Sequence, residues 1–453
     1  MFDQNFINRM KSILGPSNFE NYINSFNESP SRAFHINTKK IENSTFLDLF
    51  PFDVEPVPFC KNSYYFDKIG IGNHPYHHAG MFYIQEPAAM FPVASVDIKE
   101  DWKILDMCAS PGGKSSLASQ FISDNGQLVS NEIIPSRCKT LCGNIERLGY
   151  KNVTVTCASS EKISEIYGNY FDLVIVDAPC SGEGMFRKDQ TAIKEWSEEH
   201  VLSCAKRQKS ILDNASKCVK PGGFILYSTC TFSPEENEMM VDSFLKEHPH
   251  FKPVPLKDEC LNFTAPGIKT EFNKDYYKDC IRRFYPHISK GEGQFAALMQ
   301  NTLDECYSNE IRFNFNRPGK KEEKIIKYFI DENLDGVEYD HIFINKDSVI
   351  YCDPSKKYPS SSYLCGVTIG QLQKGYIKPH HQLFSALGDK FIRKINFKAD
   401  DEKLDYYLHG GSFHVDSQKG WAAVTVDGVA LGGCKVVDGY LKNHYPKGLY
   451  LIK

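Results

Sequence analysis

Two cysteines in this chain have surroundings that suit chemistry. Cys180 stands in Asp177-Ala178-Pro179-Cys180-Ser181-Gly182-Glu183-Gly184, directly after the near-continuous apolar run 171–176. Cys230 stands in Tyr227-Ser228-Thr229-Cys230-Thr231-Phe232, after Lys220-Pro221-Gly222-Gly223 and a second apolar run. A deprotonated thiol is a strong nucleophile, and ligands of parallel sheets bind outside the carboxyl ends of the strands. One cysteine in such a place is more often core than reactive. Two at neighbouring strand ends, one beside an aspartate on a proline-stiffened turn, read as thiols converging over one pocket.

A third segment reads as a cofactor turn. In Ile104-Leu105-Asp106-Met107-Cys108-Ala109-Ser110-Pro111-Gly112-Gly113-Lys114 a strand ends, a Pro-Gly-Gly turn follows and a helix opens. Glycines let a ligand approach the backbone closely, and the opening helix has free N–H groups. In a doubly wound sheet the first such turn is where a nucleotide cofactor sits. The spacing is neither GxGxxG nor a P-loop, which argues against a phosphate site. Glu132 ends the next apolar run and is placed to accept the ribose hydroxyls of an adenosine group. Alone it would read equally well as an acid favoured near a helix N-terminus. The expected cofactor contacts are Cys108, Ala109, Ser110, Pro111, Gly112, Gly113, Lys114, Glu132 and Asp177.

The elements that must carry these residues follow from periodicity. Strands are expected at 102–108, 126–131, 152–157, 171–176 and 223–228, with helices at 114–122, 135–148, around 191–218 and at 235–247. Repeated β-α alternation with apolar strands predicts an α/β fold, a doubly wound Rossmann-like core. It spans 96–300. Residues 1–95 read as a small α+β domain, with helical spacing at 2–14 and 19–26 and an extended stretch at 33–37. Residues 301–385 read as a polar linker, 314–323, and a small intermediate domain. Residues 386–453 read as a β-rich module, with turn signals at His409-Gly410-Gly411 and Leu431-Gly432-Gly433 and a locally basic ending, 435–453.

Composition bounds the rest. The chain has 453 residues, 53 Lys and Arg against 57 Asp and Glu, and a net charge of -4. That excludes a globally polycationic coat protein but leaves room for a local basic groove. No apolar run reaches the roughly 20 residues of a membrane helix. The first residues lack the basic-then-apolar pattern of a secretory signal. The 15 cysteines include no CxxC pair, so they read as reduced and mostly buried. His74-Pro75-Tyr76-His77-His78 reads as a loop with incidental histidines, and no metal is expected.

Together these segments resemble the Sun/Nop (Fmu-type) family of S-adenosylmethionine-dependent RNA cytosine-5 methyltransferases. The resemblance is strong over about 1–300 and looser beyond. Arg32 with Asn37 and Lys39, the stretch 80–90 (GMFYIQEPAAM) and the stretch 282–295 (RRFYPHISKGEGQF) are similar as well. The length and the KNHYPKGL ending resemble the branch that modifies small-subunit ribosomal RNA, whose last domain is similar to a PUA fold.

The resemblance implies S-adenosyl-L-methionine as cofactor and a division of labour between the thiols. Cys230 adds to carbon 6 of the cytosine, and the resulting enamine lets carbon 5 attack a sulfonium methyl. Cys180 assists removal of the carbon 5 proton and release, and Asp177 holds the ring nitrogen and exocyclic amine. Lys114 is expected within reach of the same centre. DNA enzymes instead use the Pro-Cys cysteine and carry an ENV tripeptide, which is absent here. The target base must leave its stack. Phe186 and Tyr227 are read as core or as walls for that base, and Arg187-Lys188 as a solvated basic pair or a phosphate contact. Two positions depart from the pattern: Ser159 stands where several relatives have an adenine-side acid, and Gln294 where an aromatic is usual. The implied partner is RNA, first of all 16S rRNA or the small ribosomal subunit, with tRNA as the competing substrate. The alternative is a non-catalytic ribosome-assembly RNA-binding protein. A cytoplasmic monomer acting on neither DNA nor membranes completes the expectation.

Overall fold

The computed structural model describes residues 2–304, 315–359 and 362–451. Asn314 and the last two residues of the basic ending lie outside the described residues. The core is a ten-stranded sheet. In spatial order it runs Ala265–Pro266, Ile281–Phe284, Gln294–Asn301, Val219–Thr229, Phe171–Asp177, Lys103–Asp106, Gln127–Asn131, Val153–Thr156 and Ser362–Cys365, with Phe251–Val254 pairing beside Gln294–Asn301. The five strands from Val219–Thr229 to Val153–Thr156 are parallel, as the β-α alternation predicts. From Lys103–Asp106 the chain steps to Gln127–Asn131 on one side, and the later strand Phe171–Asp177 lies on the other. This is the topological switch, where a crevice opens above the carboxyl ends.

The strands form where apolar runs can be covered on both faces. Six consecutive residues from Phe171 to Val176 are buried, and helices cover each side. Pro135–Leu148 is one of them: Cys138, Leu141, Ile145 and Leu148 recur at helical spacing and are buried, and Gly149 ends the helix in the left-handed region (φ 71°).

Residues 33–85 form a four-stranded antiparallel sheet, in the order Glu55–Pro56, Ser63–Tyr65, Ala33–Ile36, Phe82–Gln85. The preceding segment is one long helical stretch, Gln4–Ser25, broken at Gly15 (φ 73°, ψ 167°) before Pro16. Two helices were expected there, and the break lies between them. Its apolar face, with Phe6, Met10 and Tyr22, packs on Phe186, Trp196, Phe232 and Tyr285 of the core. The N-terminal helices thus cover the segments that carry the two thiols.

Beyond the core, Ile342–Asn345, Ser348–Tyr351, Val367–Gln373 and Tyr376–Pro379 form a four-stranded antiparallel sheet. The last sheet has five strands, Lys394–Phe397, Gly420–Val426, Val429–Val437, Tyr440–Asn443 and Phe413–His414. Its core is continuous with that of the N-terminal sheet, joining Phe34, Phe46 and Phe82 to Leu404, Tyr407 and Val424. Among the described residues no helix is long and apolar enough to cross a membrane.

Two local expectations are corrected. Residues 320–323 are not linker but the first turn of the helix Lys320–Asn333, opened by the Glu322 carboxylate accepting from the Gly319 N–H at 2.7 Å. Ile326, Phe329 and Ile330 give that helix its buried face, a periodicity masked by the charged start. Leu431-Gly432-Gly433 is not a turn but the middle of Val429–Val437. A Cβ at Gly433 would lie 2.4 Å from the Phe384 ring, and one at Gly432 would lie 2.7 Å from the Tyr407 hydroxyl. The glycines are there because other side chains press on the strand.

Candidate active site

The expected site residues meet at the switch point. The turn 108–114 is held against the next β-α unit. The Ala109 N–H donates to Asn131 O at 2.8 Å, Asn144 Nδ2 to Pro111 O at 2.9 Å, and Ser110 Oγ to Arg137 O at 3.0 Å. Arg137 returns a bond from Nη2 to Ser110 O (2.9 Å), and its Nε lies 3.5 Å from Glu132 Oε2. Gly112 takes φ 112°, open to glycine and strained for other residues, and a Cβ at Gly113 would press on the Gln85 amide at 3.0 Å. Cys108 is part of this turn, and burial pushes its thiol far up.

Three acids surround the turn. Glu132 is buried at the end of Gln127–Asn131, with Oε1 accepting the Ile134 N–H at 2.9 Å. Asp177 ends the neighbouring strand, with Ser228 Oγ donating to its Oδ1 at 2.8 Å. Asp106 lies in the motif but was not singled out from sequence. It is fully buried, its Oδ2 accepts from Ser115 Oγ at 2.7 Å, and its Oδ1 has no partner. Burial lifts the Asp106 carboxyl to about 7, against the bond from Ser115. An acid closing the first strand beside the turn was the signal that could have found it. Lys114 does reach the centre: its Nζ lies 2.9 Å from Asp177 Oδ2.

The two thiols converge as expected. Cys180 Sγ and Cys230 Sγ are 3.3 Å apart, and both cysteines are half-buried. The close Cys230 sulfur and burial push the Cys180 thiol well above its usual range. The loops touch through glycine: a Cβ at Gly184 would lie 2.6 Å from Gly293 Cα, and the Gly184 N–H donates to Cys230 O at 2.9 Å. Gln294 is buried and turns its Nε2 towards Asp177 Oδ1 at 3.4 Å.

Other candidates serve the scaffold. Tyr227 is fully buried, and its hydroxyl donates to Glu236 O at 2.6 Å. Phe186 packs on Phe6, 4.9 Å between ring centres. Arg187 is no solvated or phosphate-seeking residue: its guanidinium is paired with Glu292 (Nε to Oε2 3.0 Å, Nη2 to Oε1 3.0 Å) and also bonds Ser25 O and Gly291 O. Ser159 caps the helix Ser160–Ile166, its Oγ accepting the Lys162 N–H at 3.3 Å. Besides Asp106, sequence reasoning left out Glu183 and Glu236, both buried beside the thiol loops. Among the described residues no cluster of three or more His, Cys, Asp or Glu side chains is arranged to hold a metal ion.

Solved structures carry the same core. A methyltransferase homolog protein from Pyrococcus horikoshii is 28% identical, with a TM-score of 0.58 over 66% of this chain and 95% of that one. NSun6 from Pyrococcus horikoshii, solved with SFG, shares the fold at 19% identity and a TM-score of 0.58, over 67% of this chain and 99% of that one. Fold and site define a Rossmann-like methyltransferase. Residues 93–300 match the family model described as 16S rRNA methyltransferase RsmB/F, residues 2–87 the N-terminal domain of 16S rRNA methyltransferase RsmF, and residues 394–451 the methyltransferase RsmF PUA domain. Together these three matches cover most of the chain, and the resemblance read from its motifs is borne out. Similar relatives include the ribosomal RNA small subunit methyltransferase F of Vibrio vulnificus strain YJ016, 28% identical over 98% of this chain and 97% of that one. That of Shewanella piezotolerans is 29% identical over 99% and 97%.

Proposed function

We propose that this chain transfers a methyl group from S-adenosylmethionine to carbon 5 of a cytosine in 16S rRNA. The observation that carries the reading is the 3.3 Å approach of Cys180 and Cys230 beside the Lys114–Asp177 pair. The residues present fit the cofactor. The glycine turn leaves room along the backbone, Glu132 suits ribose hydroxyls, and the partnerless Asp106 Oδ1 with Asp177 suits a positively charged group. Cys108, Ala109, Ser110, Pro111, Gly112, Gly113, Lys114, Glu132 and Asp177 would hold it. When bound, it supplies an electrophilic methyl group.

The chain's own residues do the rest. The Cys230 thiolate forms a bond to carbon 6, and the carbon 5–carbon 6 π pair moves into the ring, making carbon 5 nucleophilic. Asp177 accepts from the exocyclic amine and from the ring nitrogen, which carries the proton given up by the Cys230 thiol until the adduct breaks down and then releases it to solvent, and Lys114 and Ser228 fix its two oxygens. Once carbon 5 carries the methyl, its proton passes to Cys180 as thiolate. The freed pair restores the double bond, and Cys230 departs as thiolate. RNA is the partner, gripped by proposed units at 1–95, 301–385 and 386–453 around the core at 96–300, in a cytoplasmic monomer.

The test is methyl transfer from labelled S-adenosylmethionine to 16S rRNA, assembled small subunits and bulk tRNA in parallel. Incorporation into rRNA that is lost in Cys230→Ala is the expected result, together with a stalled protein–RNA adduct in Cys180→Ala. Incorporation into tRNA alone would overturn the substrate. No incorporation by a protein that still binds the cofactor would point to the non-catalytic RNA-binding alternative.

A further inference from the structure

The loops that carry the two thiols are tied by two acids, and the ties cross. Glu183 belongs to the Cys180 loop, yet its carboxylate accepts from the Phe232 N–H at 2.9 Å and from Ser233 Oγ at 2.6 Å, just past Cys230. Glu236 follows Cys230, yet it accepts from the Ser181 N–H at 3.1 Å and from Ser181 Oγ, just past Cys180. Gln208 Nε2 donates to Glu236 at 2.7 Å and to Pro179 O at 3.0 Å, so both neighbours of Cys180 are anchored. Trp196 Nε1 completes the set around Glu183 at 2.7 Å. Both acids are buried, and these donors are all neutral N–H and O–H groups.

A buried carboxylate held only by neutral donors is a costly way to stitch two loops. Its advantage is geometric. It accepts several donors at once, whereas an amide would turn its own N–H groups against one of them. What these bonds fix are residues flanking the two sulfurs. Carbons 5 and 6 are bonded to each other, so each sulfur has to meet its own carbon with little tolerance, and a misplacement of about 1 Å costs on the order of a hundredfold in rate.

We propose that Glu236 and Glu183 are positioning residues with divided tasks: Glu236, through Ser181, sets Cys180 for release of the adduct, and Glu183, through residues 232–233, sets Cys230 for addition to carbon 6. This rests on the assignment of the two thiols above.

The experiment compares Glu236→Gln, Ser181→Ala and Glu183→Gln with wild type, Cys180→Ala and Cys230→Ala, on the RNA the wild type methylates. It reads the first-turnover rate of adduct formation, steady-state methyl transfer, and the fraction of enzyme trapped on RNA in denaturing gels. Glu236→Gln and Ser181→Ala should lower steady-state transfer about tenfold and accumulate adduct, with first-turnover addition changed less than about twofold. Glu183→Gln should slow addition about tenfold and accumulate none. Ser181→Ala removes a single hydroxyl that also meets Thr231 Oγ1 at 2.7 Å beside Cys230, so unslowed addition in this variant is the sharper result, and it carries the first expectation even where Glu236→Gln fails to fold. Equal losses in both steps without trapping would mark general loosening and overturn the proposal, as would trapping by Glu183→Gln alone. Failure of the underlying reading looks different: Cys180→Ala would then trap no adduct, or Cys230→Ala would still form one.

Discussion

Lys114 and Asp177 join across the switch of the sheet, the ammonium of one 2.9 Å from the carboxylate of the other. Lys114 lies in the first turn of the helix Gly113–Ser119, and Asp177 ends the strand beside Lys103–Asp106. The pair links the turn 108–114 to the thiol loops. In Lys114→Met, Asp177 keeps Ser228 and Gln294 but loses its cation. The expected outcome is a fall in the single-turnover methyl-transfer rate of about a hundredfold, the scale of a lost electrostatic contact at a reacting centre. Cofactor affinity by calorimetry separates this from a loss of binding; an unchanged rate would remove Lys114 from the centre.

Asp106 makes a prediction about pH. Burial raises its folded pKa from 3.8 to about 7. A raised acid contributes stability through its proton, fully present below the unfolded value and lost as pH climbs through the folded one. That part of the stability of the cofactor-free protein should therefore decline between about pH 4 and pH 7. Asp106→Asn keeps the side chain neutral and should flatten the decline. Urea unfolding at a series of pH values reads it directly, and parallel curves for the two proteins would refute it.

The Arg187–Glu292 pair is structural. Both side chains are nearly inaccessible, 6% and 2% exposed. Arg187→Ala leaves a buried carboxylate without its cation and should cost about 3–5 kcal/mol. If Arg187 touched RNA phosphate, the slope of log affinity against log salt would fall by about one unit. The expected result is a large drop in denaturation midpoint with an unaltered salt slope.

Ser159→Ala should destabilise the fold by about 1 kcal/mol through the lost cap and leave cofactor affinity unchanged. Ser159→Asp, which also caps, should restore stability. A drop in affinity with Ser159→Ala would instead return the residue to the cofactor.

The parallel core was legible because its strands are buried on both faces and its helices repeat at one period, so residues such as Phe171 and Leu141 declare their roles locally. The turn 108–114 and the two thiols were legible because glycine, proline, acid and cysteine stand where strands end. Arg187 misled because pairing with Glu292, 105 residues away, leaves no trace in local pattern. Gly432 and Gly433 misled for the same reason, since the rings that exclude a Cβ come from other segments. Glu183 and Glu236 went unnoticed because an acid beside a loop ordinarily faces water, and only the fold turns these two inward.

The sheet that holds the site ends on a strand from far down the chain. Ser362–Cys365 pairs antiparallel with Val153–Thr156, whose residues are all buried. A chain cut after residue 304 would leave the backbone of that buried strand bare, an unpaired edge ready to recruit a second molecule. The last third of the chain therefore covers an edge that would otherwise invite self-association.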